Sequence, residues 1–255
     1  MNLIVPIKMV PDLVEELVID ASGARLDPEA VRLKLNELDE HAIEQAILLK
    51  EKGAASQVIV VAPDIEGIDE VLFTAAAQGA DRLIKLTGRW SYDVSNRALA
   101  RVLANFIKTL RPELILTGVQ AHNDLDGAVG PALAEHLGMA YVGYVSGVII
   151  ANGSARVRKE FPGGLIAEMQ VQLPAVLGIQ AAEKPPRYVP ISKIRATMKT
   201  ATIETFPAAV LETIGAPVNV HLFPPETRER ATMIEGDVNA VAARLVEIFK
   251  EHGVL

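Results

Sequence analysis

Through residue 117 the chain alternates short apolar runs with segments of helical periodicity, and that alternation constrains its fold more than any other feature. Leu3 to Val5, Gln57 to Ala62, Arg82 to Leu86 and Leu114 to Thr117 read as buried strands. Asp39 to Lys52 carries Ala42, Ile43, Ala46, Ile47 and Leu49 at helical spacing, with acids in its first turn, lysines in its last and Gly53 as a stop. Ile65 to Gln78, closed by Gly79, predicts a second helix. Asp93 to Leu110 predicts a third, with Val94, Ala98, Val102, Phe106 and Leu110 along one face. Strands alternating with helices predict a parallel sheet covered on both faces, an α/β architecture. Asp12 to Asn36, polar and turn-rich, is expected to lie outside the core as a loop or small hairpin.

After Thr117 the pattern changes. A helix is expected from about Ala128 to Leu137, followed by three extended runs, Tyr141 to Ile150, Ser154 to Phe161 and Leu165 to Leu173. Asn152-Gly153 and Pro162-Gly163-Gly164 separate them, and Asn-Gly between two such runs is a strong hairpin signal. Ala175 to Ile179 is expected to return to the sheet. Beyond Arg187 periodicity is lost and prolines accumulate (Pro190, Pro207, Pro217, Pro224, Pro225), which predicts an extended arm leaving the domain. The arm ends in a predicted helix, Asp237 to Lys250, whose Val238, Val241, Leu245, Ile248 and Phe249 form a stripe that must pack on something.

Composition narrows the function classes. A chain of 255 residues, half of them hydrophobic, can bury the core of one domain plus an appendage. The net charge of -7, with Lys and Arg scattered, argues against nucleic-acid binding, which needs clustered cations. Without cysteine there is no disulfide, thiolate nucleophile or Cys-ligated zinc or iron-sulfur centre, so a redox role needs a borrowed organic cofactor. No run approaches the roughly 20 apolar residues of a membrane-spanning helix, so no membrane insertion is expected. Met1 to Pro6 enters a strand directly rather than a secretory signal, and a cytoplasmic location is expected. The five histidines lack metal-ligand spacing, Gly-x-Ser-x-Gly does not occur, and Ile7 to Asp12 is not the Ser-Gly-Gly-x-Asp-Ser loop of ATP-using pyrophosphatases and ligases.

The segment from Gly118 to Pro131 holds the most chemistry. It follows a parallel strand and enters a helix, where ligands of open α/β sheets bind and free backbone N–H groups can meet a phosphate. Asp124 and Asp126 there either cap the helix or belong to such a seat.

Gly118, Gln120-Ala121, Asp124 and Gly130 in this order resemble the electron transfer flavoprotein beta subunit. So do Lys8 with Val10-Pro11-Asp12, Asn36 with Asp39-Glu40, and Ala76 to Arg82. The run Gly163-Gly164, Leu173-Pro174-Ala175-Val176 and Pro186-Arg187-Tyr188 is similar to the family's signature in content and spacing, and Pro224-Pro225 with Arg228 resembles its C-terminal arm. The resemblance implies a Rossmann-like (adenine nucleotide alpha hydrolase-like) parallel sheet with an added antiparallel meander and an extended C-terminal arm ending in a helix. Residues 1–198 would form the nucleotide-binding-like domain, and residues 199–255 the arm that packs on the partner.

It further implies a carrier rather than an enzyme. The chain would pair with an alpha subunit that binds FAD, accept electrons from acyl-CoA dehydrogenase-like donors and pass them to a membrane-bound quinone oxidoreductase. A nucleotide, AMP in ordinary members, would contact Pro6, Asn36, Ala62, Gln120, Ala121, Asn123, Asp124, Asp126, Gly127, Ala128, Val129 and Gly130. Ordinary members carry Asn, Gln and Thr where this chain has Gly127, Ala128 and Val129, whereas Val129-Gly130-Pro131 is similar to bifurcating members, in which a second FAD takes the AMP position. A one-FAD carrier with AMP or nothing in that site is the leading reading, and a two-FAD bifurcating subunit the alternative. By the same resemblance Leu38 lies near the partner's FAD, Glu160 pairs with an arginine of the alpha subunit, and Ile191, with Arg187 and Tyr188 preceding it, belongs to the surface that docks dehydrogenases. A stand-alone nucleotide-binding sensor or stress protein is the competing class; it leaves the arm and its apolar helix unexplained.

Overall fold

The computed structural model describes residues 1–124, 127–208, 220–225, 231 and 233–255. They form two units, residues 1–221 and residues 222–255. In the first unit lie β1 (Asn2–Pro6), β2 (Met9–Pro11), β3 (Leu33–Leu35), α1 (Glu37–Glu51), β4 (Gln57–Pro63), α2 (Ile68–Gln78), β5 (Arg82–Thr87), α3 (Asn96–Ile107), β6 (Leu114–Gly118) and α4 (Val129–Leu137). They are followed by β7 (Ala140–Ala151), β8 (Ser154–Glu160), β9 (Ile166–Gln172), β10 (Ala175–Ile179), α5 (Ile191–Thr197) and β11 (Ile203–Pro207).

Among the described residues one nine-stranded sheet runs in the order β11-β5-β4-β1-β6-β10-β7-β8-β9. Its pairs are parallel from β11 through β7, and β8 and β9 add the antiparallel meander. Side chains of a strand point alternately to its two faces, and β1 shows the consequence. Leu3 and Val5 enter a core shared with Ala42, Ile43 and Ile47 of α1 and Leu72 of α2. Ile4 enters the opposite core with Leu99 and Leu103 of α3 and Leu133 of α4. A strand buried on both sides must be apolar at every position, which is why these runs stand out in the sequence.

The segment 12–36 lies outside the main sheet, as expected, and contributes β3, which pairs antiparallel with β2 in a small separate sheet. Two elements differ from the expectation. Helix α3 starts later than Asp93, because Ser95 accepts a hydrogen bond from the Ala98 N–H and fixes the first turn. The chain also does not leave the sheet at Arg187. Ile191 opens α5, and β11 pairs parallel with β5 at the sheet edge. Arg82 clasps Glu204 through two hydrogen bonds of 2.8 Å, and the rings of Phe106 and Phe206 lie 5.0 Å apart. Half-exposed edge strands tolerate polar residues and a terminal proline, so β11 carries no continuous apolar run to betray it.

In the second unit α6 (Val238–Glu251) is capped by Asp237, whose side chain accepts from the N–H groups of Asn239 and Ala240. None of its residues is buried, and Val238, Leu245, Val246 and Phe249 lie exposed. No helix of the described residues is long and apolar enough to cross a membrane.

Candidate functional site

The sheet order places the site. From β1 the chain builds outward to β4 and β5 on one side, then crosses to β6, β10 and β7 on the other, so the carboxyl ends of β1 and β6 border the crevice where the winding reverses. A shallow cleft, partly open to solvent, lies there. It is lined by Pro6 at the end of β1 and Lys8 beyond it, by Asn36 and Asp39 at the start of α1, and by Thr117, Gly118, Gln120, Ala121, Asp124 and Val129.

Asp39 stitches the two strand ends together. One carboxylate oxygen accepts the Lys8 N–H at 2.9 Å and the other the Gly118 N–H at 2.8 Å. Burial pushes this carboxyl up to about 6, although the backbone donors of Lys8 and Gly118 favour its charged form. A methyl group on Gly118 would come within 2.6 Å of the Asp39 Oδ1 and 2.8 Å of the Leu38 carbonyl carbon, so only glycine fits this approach. Asn36 donates to the Gln120 carbonyl at 3.1 Å and holds the loop after β6 over the cleft.

A second network lies beside it. Lys8 Nζ reaches Asp124 Oδ1 at 2.8 Å and Asn96 Oδ1 at 3.0 Å. Asn96 Nδ2 donates to Asp124 Oδ1 and to the Gly127 carbonyl, each at 2.7 Å, and the Ala121 N–H donates to Asp124 Oδ2 at 2.8 Å. At the start of α4, Ala128 supplies no side-chain cap. The Thr117 hydroxyl is buried without a hydrogen-bond partner among the described residues, and a methyl group on Gly130 would meet it at 2.8 Å. A helix start without a side-chain cap among the described residues, beside a buried hydroxyl that has none of them as a partner, fits an anionic oxygen such as that of a phosphate.

Of the residues expected to contact a nucleotide, Pro6, Asn36, Gln120, Ala121, Asp124 and Val129 line this cleft. Asn123, Gly127, Ala128 and Gly130 belong to the same loop and the start of α4 but are not part of its wall. Ala62 is fully buried within β4. Asp126 lies outside the described residues, as do Pro217 and Arg228. Lys8, Asp39, Asn96 and Thr117 complete the site and were not singled out as its members; Lys8 and Asp39 occur in the family-like blocks, and Asn96 and Thr117 carry no sequence signal.

The expected partner residues fall elsewhere. Leu38 is half-buried at the start of α1, Glu160 is exposed at the end of β8, and Tyr188 and Ile191 are exposed. Arg187 is partly exposed and is also engaged within the chain. Its guanidinium grips Glu44 through two hydrogen bonds of 2.8 Å and reaches Glu51 at 2.6 Å. Next to Glu160, Lys159 lies over the rings of Tyr144 and Phe161, 5.2 and 5.3 Å from their centroids. The Tyr144 hydroxyl donates to Gln120 Oε1 at 3.4 Å, which links this aromatic cluster to the cleft's mouth.

A family model described as electron transfer flavoprotein domain matches residues 25–211. The chain is similar to the electron transfer flavoprotein subunit beta of Methylophilus methylotrophus, 29% identical over 98% of each chain. It is likewise similar to those of Syntrophomonas wolfei, 34% identical over 92% of this chain and 91% of the relative, and Bradyrhizobium diazoefficiens, 30% identical over the full length of both.

Proposed function

The chain belongs to the electron transfer flavoprotein family as a beta subunit, and from that premise we propose that it works as half of a heterodimer whose alpha subunit holds FAD. The complex accepts electrons from acyl-CoA dehydrogenase-type donors and delivers them to a membrane-bound quinone oxidoreductase, in the cytoplasm and at its membrane face. The flavin supplies the redox chemistry when bound; this chain supplies docking surface, electrostatics and a nucleotide seat. Leu38 lends the flavin an apolar wall, and Tyr188 and Ile191 dock the donor.

One observation carries the nucleotide reading: the start of α4 and the buried Thr117 hydroxyl beside it, uncapped and unpartnered among the described residues, at the sheet's switch point. The cleft lies where open α/β sheets bind nucleotides, and AMP is the proposed occupant. The sequence Val129-Gly130-Pro131 at the start of α4 favours a second reading, in which the cleft takes part of a second FAD.

Co-expression with the alpha subunit and identification of the extracted nucleotides separate the two. One FAD with AMP per heterodimer is expected; two FAD overturn the AMP version. A stable, flavin-free monomer that acts as a nucleotide sensor overturns both.

Glu160, exposed at its strand end, is proposed to pair with an arginine of the alpha subunit as the flavin domain swings. A solvated ion pair contributes about 1 kcal/mol or less, so Glu160→Gln is expected to change the rate of electron transfer from the donor by no more than about fivefold. A loss of a hundredfold or more in stopped-flow flavin reduction would assign Glu160 a larger role.

A further inference from the structure

The cleft contains a cation, but that cation is already engaged. Lys8 and Asp124 retain only 12% and 11% of their side-chain exposure, so solvent and salt screen their contact little. The Asp124 carboxylate also takes Asn96 Nδ2 at 2.7 Å on one oxygen and the Ala121 N–H at 2.8 Å on the other. An ammonium, an amide and a backbone N–H converging on one anionic group is the donor set that phosphate-binding loops present to a phosphate.

We propose that Asp124 is a built-in competitor for the nucleotide's phosphate, holding the donors that a phosphate in this cleft would otherwise recruit. This rests on the cleft being a nucleotide seat. Lys8, Thr117, Ala121, Asp124 and Val129 all face the same space, so a phosphate at the start of α4 stands near a carboxylate. To gain Lys8 it must displace Asp124, and if it does not, the two like charges repel. The nucleotide is therefore held weakly and exchanges with the free pool, instead of being buried permanently at assembly. Asp124 thereby sets the affinity of the seat and has no part in electron transfer.

The alternative role, in which the network merely fastens the loop down for the nucleotide, makes the opposite prediction. Heterodimers of the wild type, Asp124→Asn and Asp124→Ser are to be co-purified with the alpha subunit, stripped of nucleotide and titrated calorimetrically with AMP at equal flavin content. Asparagine keeps the size and the acceptor for Ala121. Serine is a smaller turn-former, tolerated if asparagine impairs assembly. Both variants are expected to bind AMP at least about tenfold more tightly than the wild type, a change of roughly 1.4 kcal/mol. Equal or weaker binding by the variants overturns the role given to Asp124 and leaves the seat intact. Absence of AMP binding in all three proteins overturns the nucleotide seat itself, and this proposal with it.

Discussion

Arg187→Met is expected to destabilise the chain by about 3 kcal/mol or more, the cost of leaving a buried carboxylate without its counter-ion. Glu44 is only 3% exposed, and both of its oxygens accept from Arg187. The Arg187 backbone N–H adds a third bond to Glu44 at 3.2 Å. The Glu44 and Glu51 carboxylates hold the guanidinium even more firmly protonated than usual, so raising the pH does not discharge it. Methionine keeps the length of the stem while removing every donor of the head group. Urea unfolding followed by circular dichroism measures the loss. The double variant Glu44→Met with Arg187→Met should regain most of it, since a well-packed apolar pair often replaces a buried ion pair without penalty. A single variant within about 0.5 kcal/mol of the wild type would make the clasp dispensable.

The second large effect is one of pH. Asp39 has a folded-state pKa of about 6 against an ordinary 3.8, because burial disfavours its charge. A group raised in the folded state contributes its stability in full below the unfolded value and loses it as the pH climbs through the folded one. Two units correspond to about 3 kcal/mol, lost between about pH 4 and pH 7. Asp39→Asn does not titrate. Whatever its stability at pH 4, where it must turn an NH2 toward a backbone N–H of Lys8 or Gly118, it is expected to gain about 3 kcal/mol on the wild type by pH 7. Unfolding free energies at five pH values test this, and two parallel curves would refute it.

The elements that were legible are those whose burial is complete. Strands β1, β4, β6 and β10 are enclosed on both faces, so their sequences are apolar throughout and could not be mistaken. The stripe along α1 was legible for Ala42, Ile43 and Ile47 but misleading for Glu44 and Gln45, which have the polarity of a solvated face and are buried. What covers them arrives some 140 residues later. Gln45 exchanges two hydrogen bonds with Glu183, the Ala182 N–H donates to His41 Nδ1, and Arg187 completes the row. No local pattern can announce a polar contact whose partner is so distant. The same holds at the cleft, where Lys8 and Asp124 meet across 116 positions. The loop after β6 was found because a helix start at a parallel strand's carboxyl end is a local signal. The network that fills it was not, because Asn96 and Thr117 acquire their roles through packing. Strand β11 escaped for a different reason: edge pairing rests on backbone hydrogen bonds, which any residue but proline can donate.

Helix α6 carries a consequence for the cell that makes this chain. Its cap and periodicity secure the helix, yet Val238, Leu245 and Phe249 remain in water. A copy synthesised in excess of whatever covers that stripe displays apolar surface of the kind that chaperones and proteases triage. If the alpha subunit is what covers the stripe, as the proposed function has it, steady-state abundance is set by the scarcer of the two polypeptides, and matched synthesis of both becomes a requirement.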